Sequence, residues 1–238
     1  MNTINKQQSN FLKLVGIITM AIDHAGAILM PEFLFLRVIG RIAFPIFAYQ
    51  IVVGYIHTHD FKKYFWRLLG LGILFQVPYT IATGSYTLNI FFTLAIGLVC
   101  LWLIDNRKSI AVIGILLVTA FFDNFQIIIS YLNINSGWLF QIQNYVQSFD
   151  YGLYGLLTII LMFVLLENNK YLVMAFICLN LVFISFYGIS ELQIFAPLAM
   201  IFIARPLSLK LKISSWFFYL FYPAHIVILY LIKIIWFA

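Results

Sequence analysis

Long, continuous runs of apolar residues dominate the chain, and short polar stretches separate them. Such runs are typical of α-helices that cross a membrane, which need about 20 residues to span the hydrocarbon core. The strands of a membrane β-barrel would instead alternate apolar and polar positions. The pattern therefore predicts an all-α, polytopic membrane bundle of about nine helices. Their predicted limits are residues 12–30, 35–56, 64–82, 88–104, 109–122, 152–166, 171–187, 191–204 and 216–236.

The composition excludes the soluble classes of protein. Of the 238 residues, 64% are hydrophobic and 9% are charged, whereas soluble domains average about 45–50% and about 25%. So few charges could not cover the surface of a soluble enzyme or of a nucleic-acid-binding module. We expect one transmembrane domain over residues 1–238, with the lipid bilayer around it, no nucleic-acid partner and no bound metal.

Basic residues gather on alternate connections between the predicted helices. If the N-terminus is cytoplasmic, the inner connections hold most of the 14 Lys and Arg residues, and the outer connections hold almost none. This asymmetry follows the positive-inside rule, so it supports both the count of nine and the cytoplasmic N-terminus. The inner residues are Lys6, Lys13, Lys62, Lys63, Arg67, Arg107, Lys108, Lys170, Arg205, Lys210 and Lys212.

The longest polar connection, residues 123–150, has no Lys or Arg and mixes Asn and Gln with aromatic residues. Aromatic side chains are enriched where a membrane meets water. We interpret this segment as an outer loop with a short interfacial helix, which could cover an outward-facing cavity. An additional membrane segment is the alternative.

Two ionisable residues, Asp23 and His24, interrupt the first apolar run. Such residues inside a membrane are costly, so they are candidates for function. Neighbouring residues of a helix point about 100° apart, so we expect each to meet a different partner. His24 could be a general base, since imidazole accepts a proton near neutral pH. The alternative is a packed histidine bonded to a backbone carbonyl.

Two arginines, Arg37 and Arg41, are four residues apart and therefore share one helix face. Two guanidinium groups on one face need an anion, and Asp23 lies at a similar depth. A bound phosphate, carboxylate or reaction oxyanion is the alternative partner. Arg37 could also reach the membrane surface. Gly40 permits close approach of a neighbouring helix, and Pro45 predicts a kink beyond it.

Asn89 and Thr93 open the fourth predicted helix, again four residues apart. They could contact a substrate, or they could cap the helix and bond to a neighbouring helix. Asp150 precedes the sixth helix, where it could be an N-cap or could bind a substrate amine. For Asn89 and Thr93 both roles stay open, whereas for Asp150 we favour the capping role.

The last predicted helix carries Tyr222 and His225 on one face, next to Pro223. The proline removes a helical hydrogen bond and is expected to bend the helix. A phenol and an imidazole at mid-depth could form the second half of a site that faces His24. A packing kink with a satisfied histidine is the alternative. The chain contains no motif typical of hydrolases, P-loop enzymes or zinc proteases.

Taken together, five blocks of residues resemble the TraX family, which is named for the conjugative pilin acetylase. The blocks come in the family's order and extend over most of the chain. They are residues 17–24 (IITMAIDH), 37–48 (RVIGRIAFPIFA), 89–94 (NIFFTL), 150–152 (DYG) and 217–225 (FFYLFYPAH).

The resemblance implies a multi-pass N-acetyltransferase of the bacterial cytoplasmic membrane, related to other transmembrane acyltransferases. It implies that acetyl-CoA on the cytoplasmic side donates an acetyl group. The acceptor would be the N-terminal amine of a membrane-associated or exported protein or peptide, such as a pilin subunit or a lipoprotein, at the outer side.

On this interpretation, His24 takes the proton from the attacking amine. Arg41 stabilises the oxyanion, together with Tyr222 or Asn89, and Asp23 holds the arginines. His225 is the alternative base. The candidate substrate-binding residues are Arg37, Asn89, Thr93 and Asp150. The candidate ligands for the phosphates of CoA are Lys62, Lys63, Arg67, Arg107 and Lys108.

Two other functions fit the same residues. A small-solute or lipid transporter could use an intramembrane Asp, His and Arg as a proton or substrate path. A non-catalytic assembly or immunity protein would only pair these groups with one another, and it would have no cavity that joins the two faces of the bundle.

Overall fold

The fold is a bundle of helices packed side by side. The computed structural model describes residues 5–125, 128, 149–187, 190–208 and 213–237. Within these residues we number the α-helices in chain order, and one 3₁₀-helix lies between α8 and α9. The α-helices are α1 (Lys6–Ile28), α2 (Leu34–Gly40), α3 (Ala43–His57), α4 (Phe61–Thr83), α5 (Ile90–Asp105), α6 (Ser109–Asp123), α7 (Gly152–Val164), α8 (Asn169–Tyr187), α9 (Ala199–Ala204) and α10 (Ser215–Phe237), and the 3₁₀-helix is Glu191–Leu198.

Each predicted apolar run coincides with a helical segment. Five spans are long and apolar enough to cross a membrane: Lys6–Ile28, Leu34–His57, Phe61–Thr83, Asn169–Phe186 and Trp216–Trp236. Four shorter apolar helices of 10–17 residues occupy the remaining predicted positions: Ile90–Asp105, Ser109–Asp123, Gly152–Val164 and Glu191–Ala204. The all-helical fold is therefore confirmed, with five helices that are long and apolar enough to cross a membrane, and the count of nine crossings with a cytoplasmic N-terminus stays a prediction.

Helix α1 begins six residues before its predicted start because a capping box closes its N-terminus. The side chain of Asn5 accepts a hydrogen bond from the backbone N–H of Gln8, and the side chain of Gln8 accepts one from the backbone N–H of Asn5, both at 2.9 Å. These bonds satisfy donors that the first turn leaves free. The extra turns bring Lys6 onto the helix itself.

The span from Leu34 to His57 is broken at Arg41 and Ile42, where α2 ends and α3 begins. Pro45 is the third residue of α3. A proline has no N–H to donate to the carbonyl four residues earlier, which is that of Arg41, so a continuous helix is disfavoured there. The predicted kink is thus a helix break just before the proline, and it turns Arg41 toward the interior.

This broken span is the centre of the bundle. In its most apolar stretch 67% of the residues are buried, compared with 11–39% in the other four long spans. Outer helices carry apolar side chains on their free faces, as Ile73, Leu74 and Val77 of α4 do at 63–66% exposure. An apolar outer face is expected for a helix that contacts lipid.

The predicted outer segment, residues 123–150, lies outside the described residues apart from its two ends and residue 128. At those ends, Asp123 is the last residue of α6, and Asp150 is two residues before α7. The proposed lid therefore stays a prediction.

Gly40 marks the closest contact between α2 and α1. A methyl group at this position would overlap the carboxylate of Asp23. We expect Gly40→Ala to lower the free energy of unfolding by about 1–3 kcal/mol, because a tightly packed interface must open to admit the methyl group. Unfolding in mixed detergent micelles measures this change.

Gly70→Ala is the matched control for this substitution. A methyl group at Gly70 meets no atom within 4 Å, and alanine favours a helix over glycine. Equal stability of the two variants would contradict the close packing of Gly40 against Asp23.

Candidate functional site

The carboxylate of Asp23 is buried between two arginines of the next helix pair. Arg37 Nη1 donates to Asp23 Oδ2 and Arg41 Nη2 donates to Asp23 Oδ1, each at 2.6 Å. Arg41 is 9% exposed and Asp23 is 8% exposed. The predicted ion pair is therefore present, and its one carboxylate faces two guanidinium groups, which leaves a net positive charge in the cluster.

The cluster continues into the bundle through uncharged polar residues that the sequence reasoning missed. Arg41 Nη1 is 3.5 Å from Gln193 Oε1, and Gln193 Nε2 donates to the hydroxyl of Tyr154 at 3.0 Å. That hydroxyl donates to Asn180 Oδ1 at 2.9 Å. A buried network that is fully bonded fixes its members in one arrangement. The signal in the sequence that could have identified Gln193 and Asn180 is an isolated amide side chain within an apolar run.

His24 and His225 form a pair of imidazoles across α1 and α10. His24 Nδ1 lies 2.7 Å from His225 Nε2, and the two rings are within 5° of coplanar. His225 Nδ1 lies 2.7 Å from the backbone oxygen of Phe221. Asp23 and His24 thus meet different neighbours, as the helical geometry predicts.

These contacts determine where the protons of a neutral pair lie. A carbonyl oxygen can only accept, so His225 Nδ1 carries a hydrogen and donates it to Phe221. His225 Nε2 is then an acceptor, and His24 Nδ1 must donate to it. The remaining nitrogen, His24 Nε2, keeps its lone pair, and it has no hydrogen-bond partner within the described part of the chain. His24 is therefore arranged as a base, and His225 fixes its tautomer.

Tyr222 completes this group. Its ring meets the ring of His24 edge-on at 6.5 Å and that of His225 at 5.9 Å. Phe91 packs against its other side at 4.9 Å. The phenol is thus held beside the base, as the shared helix face of Tyr222 and His225 predicts.

One cavity of about 550 Å³ runs along α1 between α3, α4 and α10. From Lys6 to Asp23, the α1 residues that line it recur every three or four positions, which is one face of a helix, and His24 lines it beside Asp23. From Lys6 to His24 this face extends about 27 Å, at 1.5 Å per residue. The α1 lining residues are Lys6, Ser9, Lys13, Ile17, Met20, Asp23 and His24.

The two ends of the cavity differ in chemistry. We call the end lined by His24, Tyr222 and Asp150 the histidine end, and the end lined by Lys6, Lys13 and Arg67 the basic end. The wall between them is mainly apolar, with Ile17, Met20, Phe47, Ile51, Leu68 and Leu94. The cavity thus joins a cationic end to the ring of His24.

Asp150 reaches the cavity, and its predicted role as an N-cap is not observed. Asp123 takes that role, because its Oδ2 accepts from the backbone N–H of Leu153 at 2.7 Å. Burial raises the pKa of the Asp150 carboxyl to about 6, and the Arg41 guanidinium opposes that shift. The carboxyl is therefore ionised above about pH 6 and neutral below it.

Asn89 and Thr93 do not line the cavity and are fully buried. Asn89 caps α5 by accepting from the backbone N–H of Phe91, and its amide donates to Gly72 and to Gln76. Thr93 donates to the backbone oxygen of Asp150. These contacts match the capping and helix-bonding alternative, and we do not retain either residue as a substrate ligand.

The arginines of the Asp23 cluster also stay behind the cavity wall. Asp23 and Gly40 line the cavity there, whereas Arg37 and Arg41 do not. The guanidinium groups therefore fix Asp23 and add positive charge to the histidine end, and direct contact with an oxyanion is better served by Tyr222.

Of the five basic residues expected to hold phosphates, the cavity is lined by Arg67. Helix α4 presents Tyr64, Arg67 and Leu68 to the cavity, whereas Lys62 and Lys63, in its first turn, are exposed and do not line it. Arg107 and Lys108 follow α5, where the Lys108 ammonium lies 5.2 Å from the ring of Trp102.

Lys6 and Lys13 line the basic end of the cavity instead of these four residues.

The described residues contain no group of three His, Cys, Asp or Glu side chains that could hold a metal ion.

Comparison with known proteins identifies the family. The family model described as TraX protein matches residues 8–233. The chain belongs to the TraX family. Among curated proteins, a probable fimbrial assembly protein FimC of serogroup H1 from Dichelobacter nodosus is 30% identical over 115 residues, which is 42% of this chain and 47% of the relative.

A second relative of this TraX chain is the uncharacterized protein RP591 from Rickettsia prowazekii (strain Madrid E). It is 36% identical over 89 residues, which is 37% of this chain and 34% of that protein. The chain thus matches less than half the length of either relative. No solved structure matches the chain.

The tautomer of His24 can be measured directly. We expect Nδ1 to carry the proton in both His24 and His225 when both rings are neutral, because the Phe221 carbonyl can only accept. Solid-state NMR of the ¹⁵N-histidine-labelled protein in lipid reports protonation at each ring nitrogen, and His24→Gln and His225→Gln assign the signals. A proton on His24 Nε2 in the neutral pair would contradict the predicted chain of hydrogen bonds from His24 to His225 to the Phe221 carbonyl.

Proposed function

We propose that this TraX protein is an acetyltransferase embedded in the cytoplasmic membrane. It would move an acetyl group from acetyl-CoA, bound from the basic end, to the N-terminal amine of an exported protein that enters at the histidine end. The observation that carries the proposal is the continuous cavity that joins the basic end to His24, whose ring pairs with that of His225.

The cavity suits a donor of this chemistry. CoA is an anion with a long, narrow arm that ends in a thioester. Lys6, Lys13 and Arg67 could neutralise its phosphates, and the mainly apolar wall would take the arm. Under the predicted topology the basic end faces the cytoplasm, where acyl-CoA is made.

At the histidine end, His24 Nε2 would take the proton of the acceptor amine as the nitrogen attacks the thioester carbon. A C–N bond forms and the C–S bond breaks. The imidazolium then returns its proton to the leaving sulfur, so the products are an amide and a thiol. Tyr222 would donate a hydrogen bond to the oxyanion that forms between these steps.

His225 and the Asp23 cluster would position the base. Because His24 Nδ1 donates to His225, the lone pair of Nε2 stays available to the acceptor. Asp23 ties α1 to Arg37 and Arg41, and so fixes the depth and rotation of the helix that carries His24. A small displacement of a catalytic group lowers rates strongly.

The acceptor is proposed to be a pilin-like or otherwise exported protein. The fimbrial assembly protein among the relatives supports this class. An N-terminus arrives as a cation, and the Asp150 carboxylate at the histidine end is a suitable first contact for it. The ammonium group would release one proton to water before the neutral amine attacks. A lipoprotein or peptide with a free N-terminus would use the same contacts.

Substitution of the base tests the proposal. We expect His24→Ala to lower kcat for acetyl transfer by about 10²–10⁴-fold, the usual contribution of a general base. Purified protein with isotope-labelled acetyl-CoA and a pilin-like peptide, followed by mass spectrometry of the peptide, gives the rate.

His59→Ala is the matched control, because His59 is exposed and does not line the cavity. Full activity of the folded His24→Ala variant would remove the assigned role. Movement of a solute across sealed vesicles by wild-type protein, without any acetylated product, would favour the transporter alternative.

A further inference from the structure

One buried hydrogen-bond donor in the cavity has no partner among the described residues. Gln50 of α3 is 8% exposed and lines the cavity. Its Oε1 accepts from the hydroxyl of Ser9 at 2.8 Å. Its Nε2 is buried and bonds to no residue in the described ranges. A buried donor without an acceptor costs free energy, so such groups in folded proteins usually meet a ligand or water.

Gln50 lies at the basic end. Its partner Ser9 is between Lys6 and Lys13 on α1, one turn from each. The acidic residues that line the cavity are Asp23 and Asp150, at the histidine end. Asp23 is 14 residues from Ser9, about 21 Å along the helix, so it cannot neutralise the cations around Gln50.

Aromatic faces, rather than carboxylates, hold two of these cations. The Arg67 guanidinium lies 5.1 Å from the ring of Tyr64 and 5.2 Å from that of Tyr219. The Lys13 ammonium lies 5.7 Å from the ring of Phe218. A cation–π contact positions a charge without cancelling it. The basic end is thus arranged before any anion binds.

We propose that the basic end is a phosphate subsite, in which Gln50 Nε2 donates to a phosphate oxygen and Lys6, Lys13 and Arg67 balance the charge. Lysine, arginine and the free amide nitrogen are donors only, so the ligand must present acceptors. Three cations suit a doubly charged phosphate ester better than a single carboxylate. The inference rests on the proposed function and specifies how the acetyl donor of that reaction is recognised.

Two sources can supply this chemistry: the phosphates of coenzyme A and the headgroup of an anionic lipid. The acetyltransferase proposal favours coenzyme A, because its arm would continue along the cavity to His24. A lipid would place acyl chains there and could not present a thioester.

The test is Gln50→Leu, which keeps the size of the side chain and removes the donor. We expect the affinity for coenzyme A to fall about 10-fold, as for the loss of one hydrogen bond to a charged group. Affinity for S-acetyl-pantetheine, which has no phosphate, should stay unchanged. Titration calorimetry in nanodiscs of phosphatidylcholine measures both.

Charge variants provide matched controls that do not depend on Gln50. Lys13→Gln and Arg67→Gln should weaken binding of coenzyme A, whereas Lys62→Gln and Lys63→Gln remove the same charge outside the cavity and should not. Unchanged affinity in Gln50→Leu, or equal effects in all four charge variants, would overturn the subsite.

Further results separate the subsite from the proposed function. Equal kcat/KM for acetyl-CoA and S-acetyl-pantetheine in the wild type would leave the transfer intact and overturn the subsite. Weaker coenzyme A binding in Gln50→Leu, with no acetyl transfer by the wild type, would support the subsite and contradict the function. Phosphatidylglycerol retained in native mass spectra, lost in Gln50→Leu and not displaced by coenzyme A, would assign the subsite to lipid.

Discussion

One carboxylate held between two guanidinium groups governs the arrangement of this bundle. Asp23 and Arg41 cannot stay charged and buried without partners. The pairs at 2.6 Å therefore bind α1 to the broken helix at its centre. Gly40 is required at that crossing because any larger residue would overlap the carboxylate. The helix break before Pro45 then turns Arg41 inward toward Gln193.

His24 depends on this constraint because it is the next residue after Asp23. Fixing the carboxylate sets the rotation of α1, so the imidazole points about 100° away, toward α10. There it meets His225, whose own orientation is set by the carbonyl of Phe221. The orientation of His24, its tautomer and its place on the cavity thus follow from one ion-pair cluster and one backbone oxygen. Residues on one face of α1 line the cavity from this point to the basic end.

The sequence predicted those features that depend on short spacings. The shared face of Arg37 and Arg41 and the separation of His24 from Asp23 follow from helical periodicity. The pairing of the arginines with Asp23 was predicted from their need for an anion and from a similar depth, and the structure contains it as well. The contact between His24 and His225 joins residues 201 positions apart. No local pattern encodes it, because it depends on which helices pack together.

The basic residues that line the cavity were predicted less well from the sequence. Counting charges on connections placed Lys62 and Lys63 with Arg67, but in the structure Arg67 lines the cavity and the two lysines, exposed in the first turn of α4, do not. The capping box of Asn5 and Gln8 was readable in the sequence and would have put Lys6 on α1. The role of Gln50 could not be predicted from the sequence, because only the three-dimensional structure shows that its amide nitrogen has no acceptor among the described residues.

The central claim is that one cavity connects a donor on one side of the membrane to an acceptor on the other. Sealed vesicles containing the purified protein in a known orientation test this most directly. Labelled acetyl-CoA is confined to the side of the basic end, and a pilin-like peptide is anchored on the side of the histidine end. The account predicts a labelled acetyl group on the N-terminal amine of that peptide. A peptide acetylated only when it shares a side with acetyl-CoA, or not acetylated at all, would contradict the account.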